Sequence, residues 1–249
     1  MASLASRDYP LGPGPPEPVP RPVMYQSWNR ITFLHWRFDP AAVRPLVPQE
    51  LELDLADGAA WVGLTPFLME NFRLPGTPVL PWLSRFPETN LRTYVWGPDG
   101  RRGVWFFSLD CSRLLAVAGG RLLYFQPYWW SKLSIERAGS RFRYRGRRRS
   151  LSAPGYEAVV DVGEPYEAEE LGELDHFLTA RWVLYPLYGR KAASAQVEHP
   201  PWTLRRAQVV FLRQDMTTRL GLPPPEGNPV VHYSEGADTR IGPPRLLRR

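Results

Sequence analysis

The chain has 249 residues, 43% hydrophobic and 22% charged, enough apolar side chain for a sizeable core in one or two domains. Its net charge is +6, yet of 31 basic residues only Lys132 and Lys191 are lysines. The lone Cys111 excludes an internal disulfide, the first residues lack the apolar run of a signal peptide, and no segment is apolar for long enough to span a bilayer. A cytoplasmic chain with no membrane partner is expected.

Residues 1–22 form a Pro/Gly-rich tail, expected to be extended and loosely held. Structure begins near Met24. Trp28 to Trp36 is rich in β-formers and predicts a strand. Asp39-Pro40 supplies an N-cap and a first-turn proline for a short helix to about Val47. Leu51, Leu53 and Leu55 alternate with acids, as in a half-buried strand; Asp57-Gly58 turns the chain into another strand from Ala60 to Met69.

Glu88–Trp96 and Arg102–Asp110 flank Gly97-Pro98-Asp99-Gly100, the clearest hairpin of the chain. Leu114 to Gly120 predicts a short helix closed by Gly119-Gly120. Ser131–Arg137 and Arg141–Arg147 predict a second hairpin, and Tyr156–Val162 a further strand. Ala168 to Thr179 carries apolar residues at helical spacing behind a first turn of acids. Trp182–Tyr185 and Thr203–Leu212 predict two more strands. Beyond Gly221 the chain is Pro/Gly-rich and ends in a basic tail over residues 243–249. Without an internal repeat or a central linker, residues 23–242 are expected to form one domain.

Several short motifs run together along the chain: His35-Trp36 before Asp39-Pro40, Phe86-Pro87-Glu88-Thr89-Asn90-Leu91-Arg92, Gly119-Gly120-Arg121, Pro127-Tyr128, His199-Pro200-Pro201-Trp202 and His232-Tyr233-Ser234. Over about residues 24–240 they resemble the YqjF-like family, a domain of unknown function within the acetoacetate-decarboxylase-like superfamily. The resemblance implies a mainly β fold with a few helices, a β-rich α+β chain closed into a cone or barrel around a central cavity. In decarboxylases of that superfamily, Gly-Gly-Arg leads six residues later to Pro-Lys-Lys, and the first lysine forms a Schiff base with the substrate ketone. Here the same spacing leads to Pro127-Tyr128-Trp129, so neither lysine position carries an amine. Lys132 sits three positions past Trp129, which on a strand faces it the other way.

The resemblance also places Glu88 at the acid of the decarboxylase pocket. A carboxyl group in an aromatic cavity is desolvated and resists ionisation unless paired. Arg92 lies four positions on, on the same strand face, where the two either form a structural ion pair or hold a carboxylate ligand between them. The candidate ligand contacts are Glu88, Arg92, Tyr128, Trp129 and His35; Glu88 and Tyr128 are the candidate acid or base.

Other chemistry is poorly supported. His35, His176, His199 and His232 lack the close spacing of a zinc motif, and no nucleotide loop or serine elbow is present, so neither a metal nor a cofactor is expected. From Arg141 to Arg149 arginines alternate with Phe142 and Tyr144, which predicts a strand with a solvated basic face; nucleic acid is an unlikely partner. The leading expectation is a protein with a pocket for a small organic molecule, acidic or carbonyl-bearing, and without Schiff-base decarboxylation. Catalysis is left open, and a homo-oligomer is allowed. The alternatives are anion or nucleic-acid binding through Arg141–Arg149, and a non-catalytic interaction protein.

Overall fold

The structure, a computed structural model, describes residues 14–150, 152–188 and 191–247. Strand β1 (Met24–Phe38) leads into a one-turn helix α1 (Pro40–Val43), β2 (Glu52–Leu53), β3 (Ala60–Arg73), β4 (Phe86–Trp96) and β5 (Arg102–Cys111). Helix α2 (Leu114–Tyr124) is followed by β6 (Tyr128–Ala138), β7 (Arg141–Arg148) and β8 (Gly155–Pro165). Helix α3 (Glu173–Thr179) precedes β9 (Val183–Leu184), β10 (Leu187–Tyr188), β11 (Lys191–Glu198), β12 (Leu204–Gln214), β13 (Val230–Ile241) and β14 (Arg245–Leu246).

The strands form one sheet that closes on itself twice. One ring of pairings runs β5–β6–β7–β8–β12–β13–β1–β3–β4 and back to β5. A second, smaller ring runs β5–β9–β11–β13 and returns through β1, β3 and β4. The larger ring is filled. Tyr144 reaches across it from β7 to Thr32 on β1 at 2.9 Å, Tyr156 from β8 to Thr89 on β4 at 2.6 Å, and Leu34, Leu64, Leu91, Phe142 and Tyr233 pack between them. Closure pairs strands that would otherwise present open edges.

Strand β4 belongs to both rings, and its period of two decides what each receives. Thr89, Leu91 and Val95 point into the filled ring, whereas Glu88, Asn90, Arg92 and Tyr94 share the opposite face. A bulge in β5 opposite Leu91 and Arg92 adjusts its alternation, so that both Phe106 and Leu109 lie on the face of the second ring.

Several predicted elements are redrawn. The leucine alternation fails at Leu55, which is exposed, while Asp54 is buried against Arg181 and only Glu52–Leu53 pair as a strand. Helix α2 does not stop at Gly119-Gly120; it runs to Tyr124 and is capped by Phe125 in the left-handed conformation, with φ of 50°. The helix predicted from Ala168 splits into a 3₁₀ turn, Ala168–Glu170, and α3, because Gly172 interrupts it. Strands β11 and β13 were not anticipated, although β13 is common to both rings.

At the termini, residues 1–13 lie outside the described residues. Residues 14–22 are held against β11: Val19 is buried and its N–H donates to Glu198 at 2.6 Å, and Gln196 donates to the Glu17 carbonyl at 2.8 Å. The basic C-terminal segment contributes β14, which pairs Arg245 with Ser194 and Leu246 with Ala193.

Candidate functional site

The second ring encloses a cavity of ≈ 250 Å³ to which all seven of its strands contribute side chains. Trp28 comes from β1, Phe67 and Met69 from β3, Phe86 from β4, Phe106 from β5, Leu184 from β9, Ala195 from β11 and Ile241 from β13. Helix α2 closes one side with Leu115, Ala116, Gly119 and Gly120, and the segment between β3 and β4 adds Leu74 and Leu83. The wall is therefore overwhelmingly apolar. Its polar groups are Gln26, Glu88, Asn90, Gln126 and Tyr128, and among the described residues no lysine, arginine or histidine lines it.

Glu88 is 3% exposed. Burial pushes its carboxyl from the ordinary 4.5 up to about 8, and the nearby Asp110 pushes in the same direction; the Tyr128 hydroxyl, donating at 3.3 Å, opposes both. At neutral pH the group is mainly a neutral carboxylic acid, able to donate as well as accept a hydrogen bond. Asp110 is held differently: Arg148 donates to both its oxygens at 2.8 and 3.2 Å, and Ser131 donates at 2.7 Å. Two neighbouring carboxyl groups thus have opposite surroundings, one paired with a guanidinium and one facing an apolar cavity.

Tyr128 reaches Glu88 because α2 lets it. A Cβ at Gly120 would overlap the Tyr128 ring, so the glycine in mid-helix makes room for the aromatic. Arg121 then anchors the start of β6 by donating to the Tyr128 carbonyl at 2.6 Å. The Gly119-Gly120-Arg121 motif and Tyr128 form one physical unit.

The other expected contacts lie elsewhere. Trp129 is 43% exposed and does not line the cavity; the guanidinium groups of Arg121 and Arg148 lie over its ring, at 5.4 and 4.6 Å. Arg92 shares the strand face of Glu88 but forms no ion pair with it among the described residues. Its guanidinium lies against Phe33 at 5.5 Å and donates to the Leu178 carbonyl at 3.3 Å, with Nε buried and unpartnered. His35 is also buried beyond the cavity. Tyr94 donates its single proton to the Leu178 carbonyl at 2.5 Å, so its oxygen accepts from His35 Nε2 at 2.6 Å. That puts a ring proton on Nε2, and burial, which holds the pKa well below 6.5, keeps the imidazole neutral.

His199 packs against Trp182 and Trp202, both tilted to its ring with centroids at 4.4 Å, and burial lowers its pKa to about 4. His232 bonds Asp175 at 2.8 Å. Lys132 is exposed on β6. On the basic strand β7, Phe142 and Tyr144 are buried, while Arg141, Arg143 and Arg145 point outward and pair with Asp161, Glu157 and Glu136. Much of the arginine face is already neutralised by neighbouring strands.

Sequence reasoning passed over Asn90. It is 9% exposed, lines the cavity, and its Oδ1 is buried without a hydrogen-bond partner. The signal was available, since position 90 shares the strand face of position 88.

The ring-closed sheet has the acetoacetate-decarboxylase-like fold. Acetoacetate decarboxylase from Legionella pneumophila superposes with a TM-score of 0.63 over 99% of this chain and 98% of its own, at 14% identity. An acetoacetate decarboxylase-like enzyme from Sphingomonas wittichii gives 0.61 over 94% and 96%, at 13% identity. The enduracididine biosynthesis enzyme MppR, in a structure complexed with pyruvate, gives 0.62 over 91% of each chain, at 16% identity.

Within that fold the chain belongs to the DUF2071 family of uncharacterized conserved proteins, whose pattern matches residues 25–238. It is 36% identical over 224 residues to the uncharacterized protein YqjF of Bacillus subtilis, covering 90% of this chain and 92% of that one.

Proposed function

We propose that the chain binds a small, largely apolar organic molecule carrying a neutral carbonyl oxygen, with the Glu88 acid donating to that oxygen. The observation that carries this reading is the buried Glu88 carboxyl group in the wall of an apolar cavity, where desolvation favours its neutral form. With no cation in the lining, a carboxylate ligand would have to surrender its hydration without a charge partner, which disfavours it. A ketone, ester or aldehyde needs only a donor.

Schiff-base decarboxylation is not part of the proposal. It requires a lysine amine at the substrate, and the cavity has none. A neutral acid can instead polarise a carbonyl directly, as a general acid does. Binding alone and binding with turnover use the same contact, and product analysis separates them.

The test is a thermal-shift and calorimetric panel of medium-chain methyl ketones against straight-chain carboxylates of equal length at pH 7. The ketones are expected to bind at least tenfold more tightly. Equal or preferential binding of the carboxylates would refute the reading. Borohydride reduction in the presence of a ketone is expected to leave the protein mass unchanged; an adduct on Lys132 or Lys191 would restore the lysine chemistry.

A further inference from the structure

The cavity opens between two segments of unusual composition. One joins β3 to β4, residues 74–85; the other is α2 with its flanks, residues 113–125. Leu74 and Leu83 of the first and Leu115 of the second line the same cavity, which places the two side by side. These short segments hold eight of the fourteen large apolar side chains that are exposed among the described residues. Leu122 is 74% exposed, Trp82 61%, Leu115 59% and Leu114 55%. Apolar groups so concentrated at a cavity mouth mark a contact surface, whereas scattered ones are ordinary.

The charge pattern indicates what covers the patch. There is no acidic residue between Glu70 and Glu88, and none between Asp110 and Glu136. Arg73, Arg85, Arg113 and Arg121 lie in these stretches; Arg85 is paired with Glu70 at 2.7 Å, while Arg113 and Arg121 are exposed at α2. A second copy of the chain docked through the same face would oppose arginine to arginine, since a two-fold interface is self-complementary. An apolar patch fringed by a surplus of cations, with Glu70 already paired to Arg85, matches a membrane surface bearing anionic headgroups.

We propose that this face rests on an anionic lipid bilayer, with Trp82, Leu115 and Leu122 entering the headgroup boundary and the cavity mouth opening onto the lipid. No helix of the described chain is long and apolar enough to cross a membrane. A surface contact needs no span, so the proposal departs from the sequence expectation of no membrane partner, which rested on the lack of a spanning segment. The arrangement would let an apolar ligand pass between bilayer and cavity without crossing water, and it goes beyond the ligand reading without resting on it.

The experiment is flotation of the full chain with vesicles of phosphatidylcholine alone, or with about 30 mol% phosphatidylglycerol, at low and at 0.5 M salt. Binding to the anionic vesicles is expected to exceed that to neutral ones at least tenfold and to fall with salt. Leu122→Ser and Trp82→Ser, both at exposed positions, should lower it at least fivefold while the melting temperature is kept. Arg113→Gln should weaken it as well. Equal binding to both vesicle types, or none to either, overturns the proposal. So does a stable dimer in light scattering that Leu122→Ser dissociates, because the second copy would then be the occupant.

Discussion

The hydroxyl of Tyr128 lies 3.3 Å from one carboxyl oxygen of Glu88 and 3.5 Å from the other, and it is the only hydrogen bond found on that carboxyl among the described residues. Both distances are at the long end of hydrogen bonding, so the contact only partly offsets the desolvation of Glu88. Tyr128→Phe removes a donor that favours the carboxylate. The Glu88 titration midpoint should rise above about 8, as read from the carboxyl infrared band after subtraction of Glu88→Gln. A fall would mean that the hydroxyl favours the neutral acid.

Glu88 also gives stability a pH dependence of definite sign. In the unfolded chain its carboxyl ionises near 4.5, while in the folded chain it keeps its proton to about 8. Between these values the folded state holds a proton that the unfolded state has lost, so stability falls as pH rises and levels off above about 8. The span corresponds to a loss on the order of 5 kcal/mol. Glu88→Gln should flatten that part of the profile, and urea melts at pH 5, 7 and 9 compare the two proteins.

Gly120→Ala tests the fit of Tyr128 against α2. Alanine favours a helix interior by about 1 kcal/mol over glycine, but the added methyl meets the Tyr128 ring. Overpacking of this kind costs about 1–3 kcal/mol, so net destabilisation is expected. In a Tyr128→Ala background the same change should turn neutral or stabilising, a coupling that a double-mutant cycle in urea reads directly.

Asp54 and Arg181 form a buried pair at 2.6 Å, with side chains 2% and 3% exposed. Asp54→Ala strands the guanidinium and should cost about 3–5 kcal/mol. Asp54→Ala with Arg181→Met should recover part of that loss, because the fully buried cation is gone and only Arg102, 3.6 Å from Asp54 and partly exposed, loses its partner. Chemical denaturation of the three variants provides the check.

Much of the fold was legible where local chemistry and burial agree. The β4–β5 hairpin follows from its Gly-Pro-Asp-Gly turn, and β7 from arginines alternating with buried Phe142 and Tyr144. Strand β13 was illegible because its buried positions are as often polar as apolar. Ser234 and Thr239 are buried in it, so it lacks an apolar period of two. Gly236 reads as a loop residue, yet its φ of 135° and the overlap a Cβ would make with Asn29 fit it to the irregular pairing with β1.

The candidate site was legible in part. Glu88 and Tyr128 were named and lie together at the cavity. Arg92 was rightly placed on the strand face of Glu88, but face alone does not fix depth along a strand, and Arg92 lies beyond the cavity against Phe33. Trp129 was misplaced because neighbours on a strand point to opposite sides: once Tyr128 faces in, Trp129 faces out.

The central claim is that Glu88 acts as a neutral acid toward a carbonyl ligand. The most direct measurement is the affinity of a medium-chain methyl ketone from pH 6 to pH 10, for the native chain and for Glu88→Gln. Affinity should fall through a midpoint near 8 in the native chain, as the donor proton is lost, and stay level in Glu88→Gln, whose amide donates at every pH. A native affinity that is independent of pH, or that rises as Glu88 ionises, would contradict the account.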